Sequence, residues 1–400
     1  MMFKNQPTID NHILSIVWLM LLILPSNQLF FLFVPIAYIL LFKFRTDVKL
    51  NITQFIIVFL FLLMTTFTVN MNDLYIHGST QDVSRLIIFA LLFITFGRLR
   101  GNTILKPYIC FATGFLVLSQ FVYILEITPL KPLFSIYTDS EGYTLENRHN
   151  AFDIEYFGRS HSFRLGGIFI NPNEYARYLG LIMLVLLCEI KQFSKKSLMI
   201  LFPVIVISLM ATGSRTSWIV FCATIIYYLY SAKVFTPQKA TKISILLVAL
   251  LFVFYLFTDI SDMRMFRVGE GMDNSFGIKV ELLMTYLGAN PSMIQLLFGH
   301  GTIDVITSAS GFRGLDWEIG NLILIYGILF MIVLFAFYFF LFKRYLPKYR
   351  VIFTILFWMF SSSVLLNYRM AALWILVLGL YYRRSLIEKK QLAVESNIST

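Results

Sequence analysis

Apolar runs alternate with short polar segments along the whole chain, and this pattern predicts about twelve membrane-spanning helices. Several runs are shorter than the roughly 20 residues that a helix needs to cross the hydrocarbon core. We therefore expect the first pair and the last pair of helices to be tilted, or to form hairpins that do not fully cross. The predicted spans are residues 12–25, 29–42, 52–69, 83–97, 104–125, 173–190, 197–211, 216–232, 243–258, 320–342, 351–367 and 370–382.

Two of the segments between these spans are long, at 126–172 and 259–319. Both exceed the usual length of a connection, and loops of this length commonly carry function. The second is expected to contain short helices. No linker rich in proline or serine divides the chain, so we predict one domain over residues 1–400, of the all-α, polytopic membrane class.

The composition agrees with a membrane protein and excludes a large soluble core. The chain is 58% hydrophobic and only 14% charged. A soluble domain has about a quarter of its residues charged. The low fraction of charged residues therefore indicates a protein whose surface is apolar as well as its interior.

The basic residues predict which side of each span faces the cytoplasm. Alternate segments hold 21 of the 33 Lys and Arg with 5 acidic residues, whereas the other segments hold 12 basic and 17 acidic residues. The resulting charges of +16 and −5 together give the formal +11. By the positive-inside rule the first set is cytoplasmic, so both termini are cytoplasmic and both long segments lie outside. The basic balance thus reflects membrane orientation and anionic lipid, and no nucleic-acid partner is expected.

Arginine dominates the outer basic residues, with ten Arg to two Lys, while the cytoplasmic set has 14 Lys and 7 Arg. The planar guanidinium grips phosphate with two parallel donors, which lysine cannot do. We therefore expect the outer face to hold an anionic ligand such as a lipid pyrophosphate. Ionisable residues are almost absent at mid-span, which disfavours an ion-driven transporter.

The first candidate segment is Arg164–Gly180. Asn171 can cap a helix and Pro172 suits its first position, so a helix is expected to begin there. The free backbone N–H groups at that end attract anions. Asn173 and Arg177 are four residues apart and share one helix face. The alternative is a simple helix cap, with Arg177 extending to the membrane surface.

The second candidate segment is Ala211–Trp218, which predicts a tight outer turn between two spans. Ser214 offers a hydroxyl group and Arg215 a guanidinium group for phosphate. An arginine at the edge of a helical bundle is costly unless it has a partner. That partner is either a phosphate or, in the alternative, a neighbouring carboxylate or exposed carbonyl.

The third candidate segment begins at Leu297 and ends before the tenth predicted span. His300 lies between two glycines, and Asp316 and Glu318 precede the span at the depth of a lipid headgroup. Any of the three can act as a general base on a sugar hydroxyl. The alternative for the two carboxylates is an ion pair with an outer arginine.

Together these residues resemble a known superfamily, that of the O-antigen polymerases and ligases. The matching motifs are Arg164-x-x-Gly followed by Asn-Pro-Asn, the Gly213-Ser-Arg215 turn, and Leu-Phe-Gly-x-Gly before a late span. The chain is most similar to a Wzy-type polymerase. The resemblance implies a bacterial inner-membrane glycosyltransferase of the all-helical, GT-C-like class. Such an enzyme moves a glycan from one undecaprenyl pyrophosphate to the sugar of another lipid-linked repeat unit.

The resemblance also implies roles for individual residues. Arg164 and Arg215 are expected to hold the pyrophosphate, and Arg177 and Asn173 belong to the same predicted site. Arg267, Arg313 and Ser214 are further candidates for ligand binding, although the two arginines match no firm motif. Because pyrophosphate is already a good leaving group, we expect no metal or other cofactor, and a single displacement would invert the anomeric centre.

Two alternatives remain open. A ligase would transfer finished polymer to lipid A–core, but ligases place a histidine beside an asparagine near the end of the second long loop. Here that stretch reads Asp316-Trp-Glu-Ile-Gly-Asn321, with His300 further upstream, so a polymerase is preferred. The other alternative is a flippase or exporter of lipid-linked sugars. The expected partners are the lipid-linked donor and acceptor and the membrane lipids, and a polysaccharide chain-length regulator is a candidate.

Overall fold

The computed structural model describes about a third of the chain, and all of its regular elements in that part are helical. The prediction of an all-α protein is confirmed for these residues, which contain no strand. The continuous stretches described are 9–25, 103–122, 125–137, 165–169, 172–214 and 292–299. Shorter pieces are 217–218, 221–222, 323, 327–329, 331–332, 369–370, 372–374, 376–377, 380 and 384.

Six α-helices lie within the described ranges, and one of them, Lys131–Phe134, lies in the first long segment, where the sequence predicted no helix. They are α1 (Ile9–Ile23), α2 (Lys106–Phe121), α3 (Lys131–Phe134), α4 (Pro172–Cys188), α5 (Lys195–Ala211) and α6 (Met293–Phe298). Short 3-10 turns occur at Thr128–Leu130, Gly167–Phe169 and Ile190–Gln192. Four of the helices coincide with predicted spans, and α6 lies in the second long segment, where short helices were expected. None of the helices within the described ranges combines the length and apolar character that a membrane crossing requires.

The chain divides into two compact units. The first consists of Met1–Leu21, Val34–Ile104 and Asn274–Thr400, and the second of Leu22–Phe33 and Leu105–Asp273. The second unit therefore contains the first and second candidate segments, whereas the third candidate segment belongs to the first unit.

Three helices of the second unit, α2, α4 and α5, pack against one another. At one end, the backbone amide of Lys106 donates to the Gln192 side chain at 3.0 Å, and the Lys106 ammonium group donates to the Ser197 hydroxyl at 3.3 Å. At the opposite end, Gln120 near the end of α2 bonds Ser208 near the end of α5. The helices α2 and α5 thus run in the same direction, and α4 runs opposite to both.

The central helix of this group is α4, whose side chains from Tyr175 to Leu187 are all buried. A helix that is apolar on every side has to be covered on every side, and its sequence is apolar almost throughout. The following helix, α5, begins where the Ser194 hydroxyl accepts a hydrogen bond from the Ser197 amide at 3.2 Å. This side-chain cap replaces a backbone partner that the first turn of a helix lacks.

The described part of the first unit has its own buried side chains. In α1, Trp18 is fully buried and the Ser15 hydroxyl donates back to the Asn11 carbonyl at 2.7 Å. Near the end of the chain, Leu373 and Val377 are buried four residues apart, as expected for one face of a helix. These positions lie in the last predicted span, and the described ones are helical.

Candidate functional site

Three of the ten predicted site residues lie within the described part of the chain, namely Asn173, Arg177 and Ser214. The other seven lie outside it: Arg164, Arg215, Arg267, Arg313, His300, Asp316 and Glu318. The immediate neighbours of Arg164, Arg215 and His300 are described, however. The structure therefore shows how the backbone next to these three residues is held.

The first and second candidate segments meet in a backbone junction. The amide of Leu165 donates to the carbonyl of Ala211 at 2.9 Å. Leu165 directly follows Arg164, and Ala211 precedes Arg215 by four residues. Two stretches that are distant in sequence, each with a candidate phosphate-binding arginine, are thus tied together at one end of the second unit.

Two consecutive polar residues near the end of α2 hold the segment 165–169, which we call the junction loop. The Gln120 side-chain amide donates to the Leu165 carbonyl at 3.1 Å. The Ser119 hydroxyl accepts from the Ile168 amide at 3.2 Å. Since both side chains are almost completely buried, these bonds are shielded from water and are strengthened by the low dielectric constant around them.

Gln120 also connects three helices. Its amide nitrogen donates to the Ser208 carbonyl at 2.9 Å, and its amide oxygen accepts from the Ser208 hydroxyl at 2.5 Å. Because that hydroxyl hydrogen is used, the 3.1 Å contact between the Tyr175 and Ser208 oxygens requires Tyr175 to be the donor. The two carbonyls that face Gln120 can only accept, which fixes the orientation of its amide. The network joins α2, α4 and α5 behind the junction loop.

Glycine is the only residue type that fits at position 167 of the junction loop. Its φ of +50° lies in the left-handed region. A Cβ atom there would lie 2.5 Å from Tyr175 Cε2 and 2.7 Å from the Ser119 oxygen. The glycine therefore allows the loop to lie directly on α2 and α4, and so close that no side chain fits between them.

The helix predicted to begin at Pro172 does begin there. Arg177 is only 8% exposed, although it is one of the most polar side chains in the chain. This burial opposes the alternative in which Arg177 extends to an open surface. Asn173, one turn earlier, is half-buried. Asn171, the expected cap, lies outside the described residues.

The predicted tight turn after α5 is also present. Gly213 has a φ of +61°, and its amide donates to the Met210 carbonyl at 2.9 Å, which ends the helix in the manner of a left-handed cap. Ser214 is buried, its amide donates to the Thr212 hydroxyl at 3.2 Å, and its own hydroxyl donates to Ser217 at 2.9 Å. In this arrangement Ser214 stabilises the turn from which Arg215 follows.

The third candidate segment lies in the first unit. Helix α6 ends at Phe298, and Gly299 follows with a φ of +84°. Gly327, in the tenth predicted span, faces this segment so closely that a Cβ atom would overlap the Leu297 carbonyl group and the Gly299 amide. The Leu-Phe-Gly motif is thus packed backbone to backbone against residue 327, and His300 comes directly after it.

The sequence reading missed the residues that build the junction, which are Ser119, Gln120, Tyr175 and Ser208. All four lie inside apolar runs, where they read as parts of a span. A polar side chain in such a run must find a partner or stay unsatisfied at considerable cost. Gln120, flanked by long apolar stretches on both sides, was the signal that could have identified the network.

The described residues hold no group of three histidine, cysteine or carboxylate side chains placed to bind a metal ion. What the junction offers is a hydrogen-bonded backbone with a candidate arginine close in sequence to each of its two residues. No known protein family matches the chain, and neither does any characterised protein.

Proposed function

We propose that this protein polymerises lipid-linked oligosaccharide repeat units into O-antigen or a related surface polysaccharide. It does so at the outer face of a bacterial inner membrane, which it crosses about twelve times with both termini in the cytoplasm. Residues 126–172 and 259–319 form the two long periplasmic loops. Donor and acceptor are both glycans carried on undecaprenyl pyrophosphate.

The observation that carries this proposal is the hydrogen bond between Leu165 and Ala211. A pyrophosphate has two charged phosphates, and it is held best by more than one guanidinium group. Arg164 directly precedes Leu165, and Arg215 follows Ala211 by four residues, so both arginines lie close in sequence to the same junction. Two arginines that leave from one junction suit a ligand with two adjacent phosphates.

The arrangement of the second unit supports the proposed orientation. Lys106, Gln192 and Ser197 come from segments assigned to the cytoplasm, and Lys106 bonds the other two at one end of the helices. Leu165 and Ala211 come from segments assigned to the periplasm, and they meet at the other end. The three helices therefore alternate in direction as the charge pattern requires.

The chemistry follows from the leaving group. A hydroxyl of the acceptor sugar attacks the anomeric carbon of the donor, and its oxygen forms the new glycosidic bond. The bond from that carbon to the pyrophosphate oxygen breaks at the same time, so the anomeric centre inverts. Arg164 and Arg215 stabilise the negative charge that develops on the pyrophosphate. The hydroxyl proton passes to a base, for which Glu318, Asp316 and His300 are the candidates.

Deletion of the gene tests the proposal against its alternatives on one gel of surface polysaccharide. A polymerase is expected to leave lipopolysaccharide with a single repeat unit and no ladder. Bare core with lipid-linked polymer accumulating in the membrane would instead identify a ligase. Bare core with single lipid-linked units on the cytoplasmic face would identify a flippase, and either result would overturn the proposal.

Substitution of the two arginines tests the site. We expect Arg164→Ala and Arg215→Ala to abolish the ladder at normal expression, and lysine at either position to restore only part of it. Arg159→Ala removes the same charge from the same predicted loop and serves as the control, with an unchanged ladder. Normal polymer length and yield in both arginine variants would refute the assignment of the site.

A further inference from the structure

Helix α2 has three buried polar side chains near its middle and end, and they are used in different ways. The Thr113 hydroxyl donates to the Ile109 carbonyl of its own helix at 2.8 Å. This bond satisfies the hydroxyl within α2 and does not link α2 to another element. Ser119 and Gln120 instead bond the backbone of the junction loop, at Ile168 and Leu165.

These two residues hold the junction loop at both ends. Gln120 bonds the carbonyl of its first residue, and Ser119 bonds the amide of its fourth. Between these points Gly167 lies against Ser119 and Tyr175 without room for a side chain. The loop contains only the 3-10 turn Gly167–Phe169, and besides Ser119 and Gln120 it is held by the bond from Leu165 to Ala211 and by the Phe169 ring stacked on Tyr178.

Apolar packing alone would not require this arrangement. A leucine at position 120 would fill the space between α2 and α5 and would bury no polar group. Burying the amide of a glutamine is costly when the amide lacks hydrogen-bond partners. Both N–H donors and the oxygen of the Gln120 amide are bonded, and two of its three bonds end on backbone carbonyls of other elements. A buried network that is fully satisfied rigidifies its surroundings.

We propose that Gln120 and Ser119 are positioning residues for the pyrophosphate site. They fix the backbone of Leu165, and thereby the point from which Arg164 leaves, relative to the turn that leads to Arg215. This inference rests on the proposed function, and it adds two residues that touch no substrate. Two arginines can bind one pyrophosphate together only if the backbone positions that carry them stay at a constant distance from each other.

The test uses the purified full-length protein in lipid nanodiscs and two probes, undecaprenyl pyrophosphate and undecaprenol. Gln120→Met keeps the side-chain length and removes both N–H donors. We expect it to weaken binding of undecaprenyl pyrophosphate about tenfold, the effect of roughly one hydrogen bond to a charged group. Binding of undecaprenol, which has no phosphate, is expected to stay the same.

The matched control is Thr113→Val, which removes a buried hydroxyl from the same helix without touching the junction loop. It is expected to bind both lipids as the wild-type protein does. If Gln120→Met is not recovered as a folded protein, Ser119→Ala takes its place. That variant removes the acceptor for the Ile168 amide, together with the bond that the hydroxyl donates to the Leu116 carbonyl of its own helix. It carries the same expectation of a selective loss.

Three results would overturn the inference. If the variant binds both lipids normally, the junction loop needs no support from α2. If it loses both lipids equally, the role of Gln120 is only structural. If the wild-type protein itself does not prefer undecaprenyl pyrophosphate to undecaprenol, the proposed function fails, and this inference fails with it.

Discussion

The amide of Leu165 donates a 2.9 Å hydrogen bond to the carbonyl of Ala211, and so the end of α5 is tied to the loop that precedes α4. The bond joins two segments that the sequence separately predicts to bind phosphate. Neither motif has to form a site alone. In the proposed site each segment would provide one arginine, and the junction ties together the backbone near both.

Gly167 is the most sensitive position of the junction. Gly167→Ala is expected to destabilise the protein by about 1–3 kcal/mol, because an alanine is strained at a φ of +50° and its Cβ would overlap Tyr175 and Ser119. It should also shorten or abolish the polymer, since the loop has to move away from α2. Thermal unfolding of the detergent-purified protein and a polysaccharide gel measure the two effects.

Gly114→Ala is the control for that substitution. Gly114 lies in α2, and a Cβ atom there would have no neighbour within 4 Å. Alanine favours a helix over glycine by roughly 1 kcal/mol, so this variant should be at least as stable as the wild type. If both glycine variants behaved alike, the close packing at Gly167 would be disproved.

The sequence predicted α2, α4 and α5 of the second unit but not the short α3, for identifiable physical reasons. Pro172 began α4 as expected, because proline at a first helical position loses no hydrogen bond. The turn at Gly213 was predicted from its small polar residues and is present. Helix caps and turns are determined by a few neighbouring residues, so they can be predicted without knowledge of the fold.

The junction could not be predicted in the same way. Leu165 and Ala211 have ordinary apolar side chains, and their bond involves only backbone atoms. The bond therefore cannot be predicted from the types of the two residues. The partners of Gln120 lie 45 and 88 residues away along the chain. Such pairings depend on how helices pack, and periodicity within one helix carries no information about them.

The opposite end of the second unit should tolerate change without loss of function. Gln192→Leu removes the acceptor for the Lys106 amide, and we expect it to lower stability by about 0.5–1.5 kcal/mol. The polymer should remain normal, because this end is far from the junction along all three helices. Lys191→Ala, an exposed neighbour, is the control for stability. A shortened polymer from Gln192→Leu at normal expression would contradict this separation of roles.

The start of α5 depends on one side chain. Ser194→Ala removes the hydroxyl that accepts from the Ser197 amide, and it should lower the stability by about 1 kcal/mol. Ser194→Asp keeps an acceptor oxygen at the cap and should retain most of that stability. The midpoints of thermal unfolding for the two variants separate these cases. Equal loss in both would mean that an acceptor oxygen at position 194 is not what stabilises the start of α5.

Gly327 tests the third candidate segment in the first unit. An alanine at this position would overlap the backbone of Leu297 and Gly299, and it would also be strained at a φ of +83°. Because backbone cannot yield as a side chain can, we expect Gly327→Ala to cost about 1–3 kcal/mol and to displace the segment that leads to His300. Polymer yield should fall with it if that segment provides the base.

Ile328→Ala changes an adjacent, 41% exposed side chain and should affect neither measurement. A stable, fully active Gly327→Ala protein would show that the close contact between residue 327 and the Leu-Phe-Gly motif is not needed.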